Sequence, residues 1–201
     1  MSTTTIVIIA AVVAVVVVLA VIAVLAVQAS RRRQLRDQFG PEYERTVQAV
    51  GGDKQAEIDL RNRLDRRNQL SIRPLSAAQR ERYDSSWGQV QAAFVDAPST
   101  ALGQADVLIT TVMSERGYPM QDFYGQAELV SVDHPHVVQN YREAHGIYVA
   151  SQTSPVTTED MRRAIIAYRA LFTELVNDGR EPVGRSAGTS GTSGAAPGSI
   201  R

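Results

Sequence analysis

From Ile6 to Val27 the chain holds 22 consecutive residues drawn only from Ile, Val, Ala and Leu. At a rise of about 1.5 Å per residue this stretch reaches about 33 Å, enough to cross a hydrocarbon core of about 30 Å. Val and Ile are modest helix formers in water. In lipid the backbone must satisfy its own hydrogen bonds, so a helix is the form open to a single span. The stretch is longer than the apolar region of about 7–15 residues in a signal peptide, and Met1–Thr5 carries no side-chain charge. Val27-Gln28-Ala29 is a passable small-residue cleavage pattern, so export after signal cleavage is the alternative. The favoured reading is an uncleaved transmembrane helix over residues 6–27.

The flanks orient it. Arg31, Arg32, Arg33 and Arg36 follow the span, and before it the only positive group is the amino terminus. The positive-inside rule then predicts a cell-membrane protein with its C-terminal domain in the cytoplasm.

The formal net charge of zero hides a regional pattern. Residues 31–73 carry 11 basic and 7 acidic side chains, net +4, beside the membrane, where anionic lipid attracts them. Residues 74–178 carry 7 basic and 13 acidic, net −6, and would be repelled from that surface. The expected layout is therefore a basic juxtamembrane segment and an acidic domain held off the bilayer. The missing basic excess argues against a nucleic-acid partner. With no Cys there is no disulfide, thiolate metal site or Cys nucleophile. Aromatics at 6% are few for a large enclosed pocket.

Residues 30–73 read as a charged helical stalk. Gly40-Pro41 breaks it, Gly51-Gly52 ends a short helix, and Asp53 suits the N-cap of the next. That helix has only a thin stripe of Ala56, Leu60 and Leu64. If the chain forms a homodimer, it would pair through this stalk or through the small-xxx-small Ala10 and Ala14 of the span.

Residues 74–178 read as an all-α domain, a bundle of four or five helices. Ser76 and Gln79 form a capping-box pattern, and Tyr83, Trp87, Val90 and Phe94 share one face of the helix that follows. Asp96 is expected to cap the next helix, with Ala101, Ala105, Leu108, Val112 and Met113 inside and Gly117 as its C′ residue. A short helix covers 122–130. Asp133 is expected to cap a helix with Pro135 in its first turn. The last helix starts at Thr157-Thr158-Glu159-Asp160 and buries Ile165, Tyr168, Leu171, Phe172 and Leu175. No segment alternates with period two, so no sheet is expected. Residues 179–201, with Gly-Thr-Ser-Gly-Thr-Ser-Gly, read as a disordered tail.

One dense polar and aromatic cluster stands out: Ser131 to His136, then Arg142 and His145, holding all three histidines. Its plain reading is a helix cap and surface or half-buried polar groups. Its functional reading is a small exposed patch of Tyr118, Asp133, His134, Arg142 and His145 that contacts a protein partner or a ligand. The alternative is a hydrolase or metal-binding domain built on Asp133, His134, His136 and His145. On a continuous helix His134 and His145 would lie about 16 Å apart, too far to share one metal. No zinc signature, nucleophile elbow or phosphate loop is present, so no catalytic residue, metal or cofactor is expected.

The segments Ile72-Arg73-Pro74-Leu75-Ser76, Phe94-Val95-Asp96, Arg116-Gly117-Tyr118-Pro119, Ser131-Val132-Asp133-His134-Pro135 and Tyr168-Arg169-Ala170-Leu171-Phe172, with Trp87, carry a resemblance. The chain resembles a family of small, single-pass membrane-anchored actinobacterial proteins, often labelled secreted or hypothetical membrane proteins. One Lys against 20 Arg agrees with such a GC-rich source. The resemblance covers about residues 1–176 and implies a layout without an activity. Together these features lead to a non-enzymatic interaction or scaffold module, tethered to the lipid bilayer.

Overall fold

The computed structural model describes residues 3–120 and 122–178. The expected tail, 179–201, lies outside the described residues. Among the described residues the protein is all-α, with eight helices and no strand: α1 (Thr3–Phe39), α2 (Pro41–Val50), α3 (Asp53–Asn68), α4 (Ala77–Asp96), α5 (Pro98–Arg116), α6 (Phe123–Asp133), α7 (Val138–Thr153) and α8 (Thr158–Asn177).

Helix α1 is long and apolar enough to cross a membrane by length and composition, a test that an N-terminal signal sequence also passes. Four consecutive residues sweep the full circumference of a helix, and Val16, Val17, Val18 and Leu19 are each more than half exposed. An apolar surface on all sides demands an apolar surrounding on all sides.

The same helix continues without a break past its arginines. It buries Leu35 and Phe39 against Tyr43, Leu60 and Val132 in a small second core. Gly40, at φ 46°, then turns the chain, and its N–H closes α1 on the Arg36 carbonyl at 2.8 Å. Helix α2 runs back alongside α1, as the Arg36–Glu44 ion pair (3.3 Å) and the Arg36 guanidinium over the Tyr43 ring show. Its ten residues return the chain by about 15 Å. The α2–α3 turn at Gly51-Gly52 therefore lies level with the end of the apolar stretch. Helix α3 then climbs again, with Arg32 bonded to Asp53 and Glu57 near its start and Leu60 in the second core. The stalk segment is thus helical and charged, and it is folded back and packed onto α6 through Val132.

The main core lies among α4, α5, α7 and α8, with α6 laid across α7. The capping box at Ser76–Gln79 forms, and Thr157 accepts from the Asp160 N–H at 3.0 Å. Trp87 stacks on Phe172 with ring centroids 4.9 Å apart. On α5 the buried stripe uses Ile109, while Leu108 is only partly covered.

Three expected caps are not where the pattern placed them. Asp53 is the first residue of α3, with Gly52 in the N-cap position and no side-chain cap, and its carboxylate pairs with Arg32 instead. Asp96 lies inside α4, because the single residue Ala97 both ends that helix (N–H to Ala93 carbonyl, 2.9 Å) and opens α5 (carbonyl from Ala101 N–H, 3.0 Å). Asp133 is the last residue of α6, and α7 starts only at Val138, with no side-chain cap. The Asp133 carboxylate has better partners than bare backbone N–H groups: the Tyr118 hydroxyl donates to it at 2.6 Å and the Arg67 guanidinium at 2.7 Å.

Candidate functional site

The patch expected around Tyr118 and His134–His145 is not an exposed surface. Tyr118 follows the C′ glycine of α5 and is buried, its hydroxyl held by Asp133. Burial, and next the Asp133 charge, push its ionisation well above the ordinary tyrosine range. His134 is buried between α5 and α8, and Arg142 spends its guanidinium on Glu42. His145 stacks on Phe123 at a 3.8 Å centroid separation, and its Nδ1 lies 2.9 Å from the Asp106 carboxylate, which also accepts from the Tyr168 hydroxyl.

The three imidazoles point into three places. His134 faces Arg116, Glu174 and Asp178; His136 is exposed over Gly40; His145 faces Asp106. The chain turns between Pro135 and Val137, so His134 and His145 do not share one helix. Among the described residues no group of three or more His, Asp or Glu is placed to hold a metal ion.

Two buried charged centres were not foreseen. In the first, Glu42 is 2% exposed and receives Arg142 through two 2.7 Å bonds and Arg63 through one of 2.9 Å. Arg63 also bonds Asp59 at 2.6 Å. This joins α2, α3 and α7. In the second, Arg116 is buried at the end of α5, where it bonds the Leu175 carbonyl at 3.1 Å, the Arg73 carbonyl at 3.3 Å and the Asp178 carboxylate. Arg116 thus sits in the last turn of α5 and also clamps the end of α8.

The arginines that follow the apolar stretch fall on different sides of α1. Arg31 and Arg32 line a groove of about 690 Å³ between α1 and α3, together with Lys54 and Arg61. Leu25, Ala29 and the exposed Ile58 supply its apolar wall. Arg32 is neutralised by Asp53 (3.0 Å) and Glu57 (2.8 Å), and Glu57 also takes Arg61 (3.2 Å). Arg31 and Lys54 have no ion-pair partner among the described residues, and neither does Arg33, which lies outside the groove. A second groove of about 710 Å³, between α4 and α5, is lined by Val107, Leu108 and Tyr148 among others.

Comparison with protein-family models, with curated proteins and with solved structures finds no match.

Proposed function

We propose that this chain is a single-pass membrane protein that holds a non-enzymatic helical interaction module at the cytoplasmic face of the cell membrane. The observation that carries the reading is α1 itself. One unbroken helix presents an apolar circumference to its surroundings and, eight residues beyond Val27, plants Leu35 in the folded domain. The domain is joined to the tether by packed side chains, so its pose at the membrane is set by the helix. The arginines after the apolar stretch favour the cytoplasmic side. The acidic balance of residues 74–178 keeps the bundle away from an anionic surface. The layout agrees with the resemblance to small actinobacterial membrane-anchored proteins.

The cysteine-free sequence makes the test direct. Full-length protein should resist carbonate extraction and keep its intact mass. Ser2→Cys should react with an impermeant maleimide in whole cells, and Ser85→Cys only after lysis. A product lacking about 29 N-terminal residues overturns the tether. For the module, a genetically encoded benzophenone amino acid placed in turn at Val95, Val107 and Ile166, all exposed apolar positions, should give a specific protein adduct on irradiation of cells. Absence of an adduct at all three sites removes the interaction reading.

A further inference from the structure

We propose that the groove between α1 and α3 is a binding site for the headgroup of an anionic phospholipid from the adjoining leaflet. The inference rests on the reading of α1 as a membrane span. Its level is the first argument. Leu25 lies inside the apolar stretch and Gln28, Ala29 and Arg31 just beyond it, and all four line the groove. The groove thus straddles the boundary between hydrocarbon and headgroups. The α2–α3 turn descends to the same level, bringing Lys54 and Ile58 of α3 down beside α1.

Its chemistry is the second argument. Leu25, Ala29 and Ile58 offer an apolar wall, and Ile58 is 42% exposed. Arg31, Arg32, Lys54 and Arg61 offer four cations against the single lining carboxylate of Glu57. Internal pairs engage Arg32 and Arg61, which fixes the walls. Arg31 and Lys54 are left with unspent charge on opposite walls. A glycerophospholipid has this same order along its length: an apolar chain, then an anionic phosphate. A free phosphate would use the cations and leave the apolar wall wet, so the occupant is assigned as lipid.

Native mass spectrometry of the full chain, released from detergent micelles, tests this. With equal phosphatidylglycerol and phosphatidylcholine, the protein should retain one phosphatidylglycerol in preference. Arg31→Gln combined with Lys54→Gln should cut that retention about tenfold or more, since each cation near a charged interface contributes appreciably. Both side chains are exposed and make no ion pair, so the fold is not at risk. Arg33→Gln with Arg36→Gln removes equal charge from the same stretch of α1 outside the groove, and should leave retention unchanged. Equal loss in both double variants would mean diffuse attraction and overturn the site. Equal retention of the two lipids would overturn it as well. Displacement of the lipid by millimolar inorganic phosphate would make the ligand a soluble anion and overturn the lipid assignment. The same spectrum reports intact mass, so a processed chain would show the membrane reading failing separately from the lipid one.

Discussion

The Arg142 guanidinium grips the Glu42 carboxylate with two 2.7 Å hydrogen bonds, across 100 positions of sequence. Arg63 completes the centre at 2.9 Å, so the buried Glu42 carboxylate is shared by two guanidiniums, and Asp59 supplies Arg63 with a second anion. The contact fastens the hairpin of α2 and α3 to α7 of the bundle.

Removing the anion is therefore far worse than removing an ordinary hydrogen bond. Glu42→Gln keeps the shape but leaves Arg142 without a counter-charge and Arg63 with Asp59 alone, at a cost of about 3–5 kcal/mol. Hydrogen exchange on the full chain in micelles should show amides of α2 and α3 losing protection by about a hundredfold or more. Amides of α8, whose core does not involve Glu42, should keep theirs. Uniform loss across the chain would contradict a junction of this kind.

Two glycines with positive φ separate strain from collision. Gly51 (φ 79°) has open space where a Cβ would stand, whereas a Cβ on Gly117 (φ 101°) would meet the Ser71 carbonyl oxygen at 2.7 Å. Gly51→Ala should cost about 1 kcal/mol from left-handed strain alone. Gly117→Ala should cost at least about 2 kcal/mol, because a backbone atom cannot swing aside. Urea midpoints from the fluorescence of Trp87, the single tryptophan, report both.

Signals confined to a few neighbouring residues were legible. Ser76 with Gln79, Gly117 after Arg116, and Thr157 before two acids each marked a helix end correctly. What long-range partners decide was not. The face that α3 buries is Ala56, Leu60 and Arg63, and the face that α2 buries is Glu42, Tyr43 and Thr46. A charged residue at a core position is invisible to an apolar pattern until its partner is known. The stripe on α3 therefore read as thin. Asp133 failed as a cap for the same reason: Tyr118 and Arg67, 15 and 66 residues away, claim its carboxylate. The histidines looked like a cluster because they are neighbours in sequence, but the turn at 135–137 sends them to separate environments.

Tyr118→Phe tests the tie between α5, α6 and α3. It deletes the 2.6 Å donor to Asp133 and leaves the 2.7 Å Arg67 bond. Loss of one hydrogen bond to a charged acceptor should lower stability by about 1.5–3 kcal/mol. Combining it with Arg67→Gln should cost less than the two single losses added, since both act on one carboxylate. Strict additivity in urea unfolding would show that the three side chains do not act as a unit.

His134 should make the domain sensitive to mild acid. An arginine only donates, so the 3.4 Å contact from Arg116 Nη1 makes His134 Nε2 the acceptor and puts the ring proton on Nδ1, toward Glu174. Burial first, and then the Arg116 charge, lower its pKa below the ordinary 6.5; Asp178, Asp133 and Glu174 pull the other way without reversing this. The unfolded chain then takes up a proton at a pH where the folded one does not. Stability is unaffected above about pH 6.5 and falls as the pH drops from there toward the folded-state value, by at most about 1.4 kcal/mol per pH unit. Urea midpoints read by Trp87 between pH 7.5 and 5.5 should decline for the wild-type chain. They should decline less for His134→Gln, whose amide oxygen still accepts from Arg116 and takes up no proton. An equal slope in both proteins would place the acid sensitivity elsewhere.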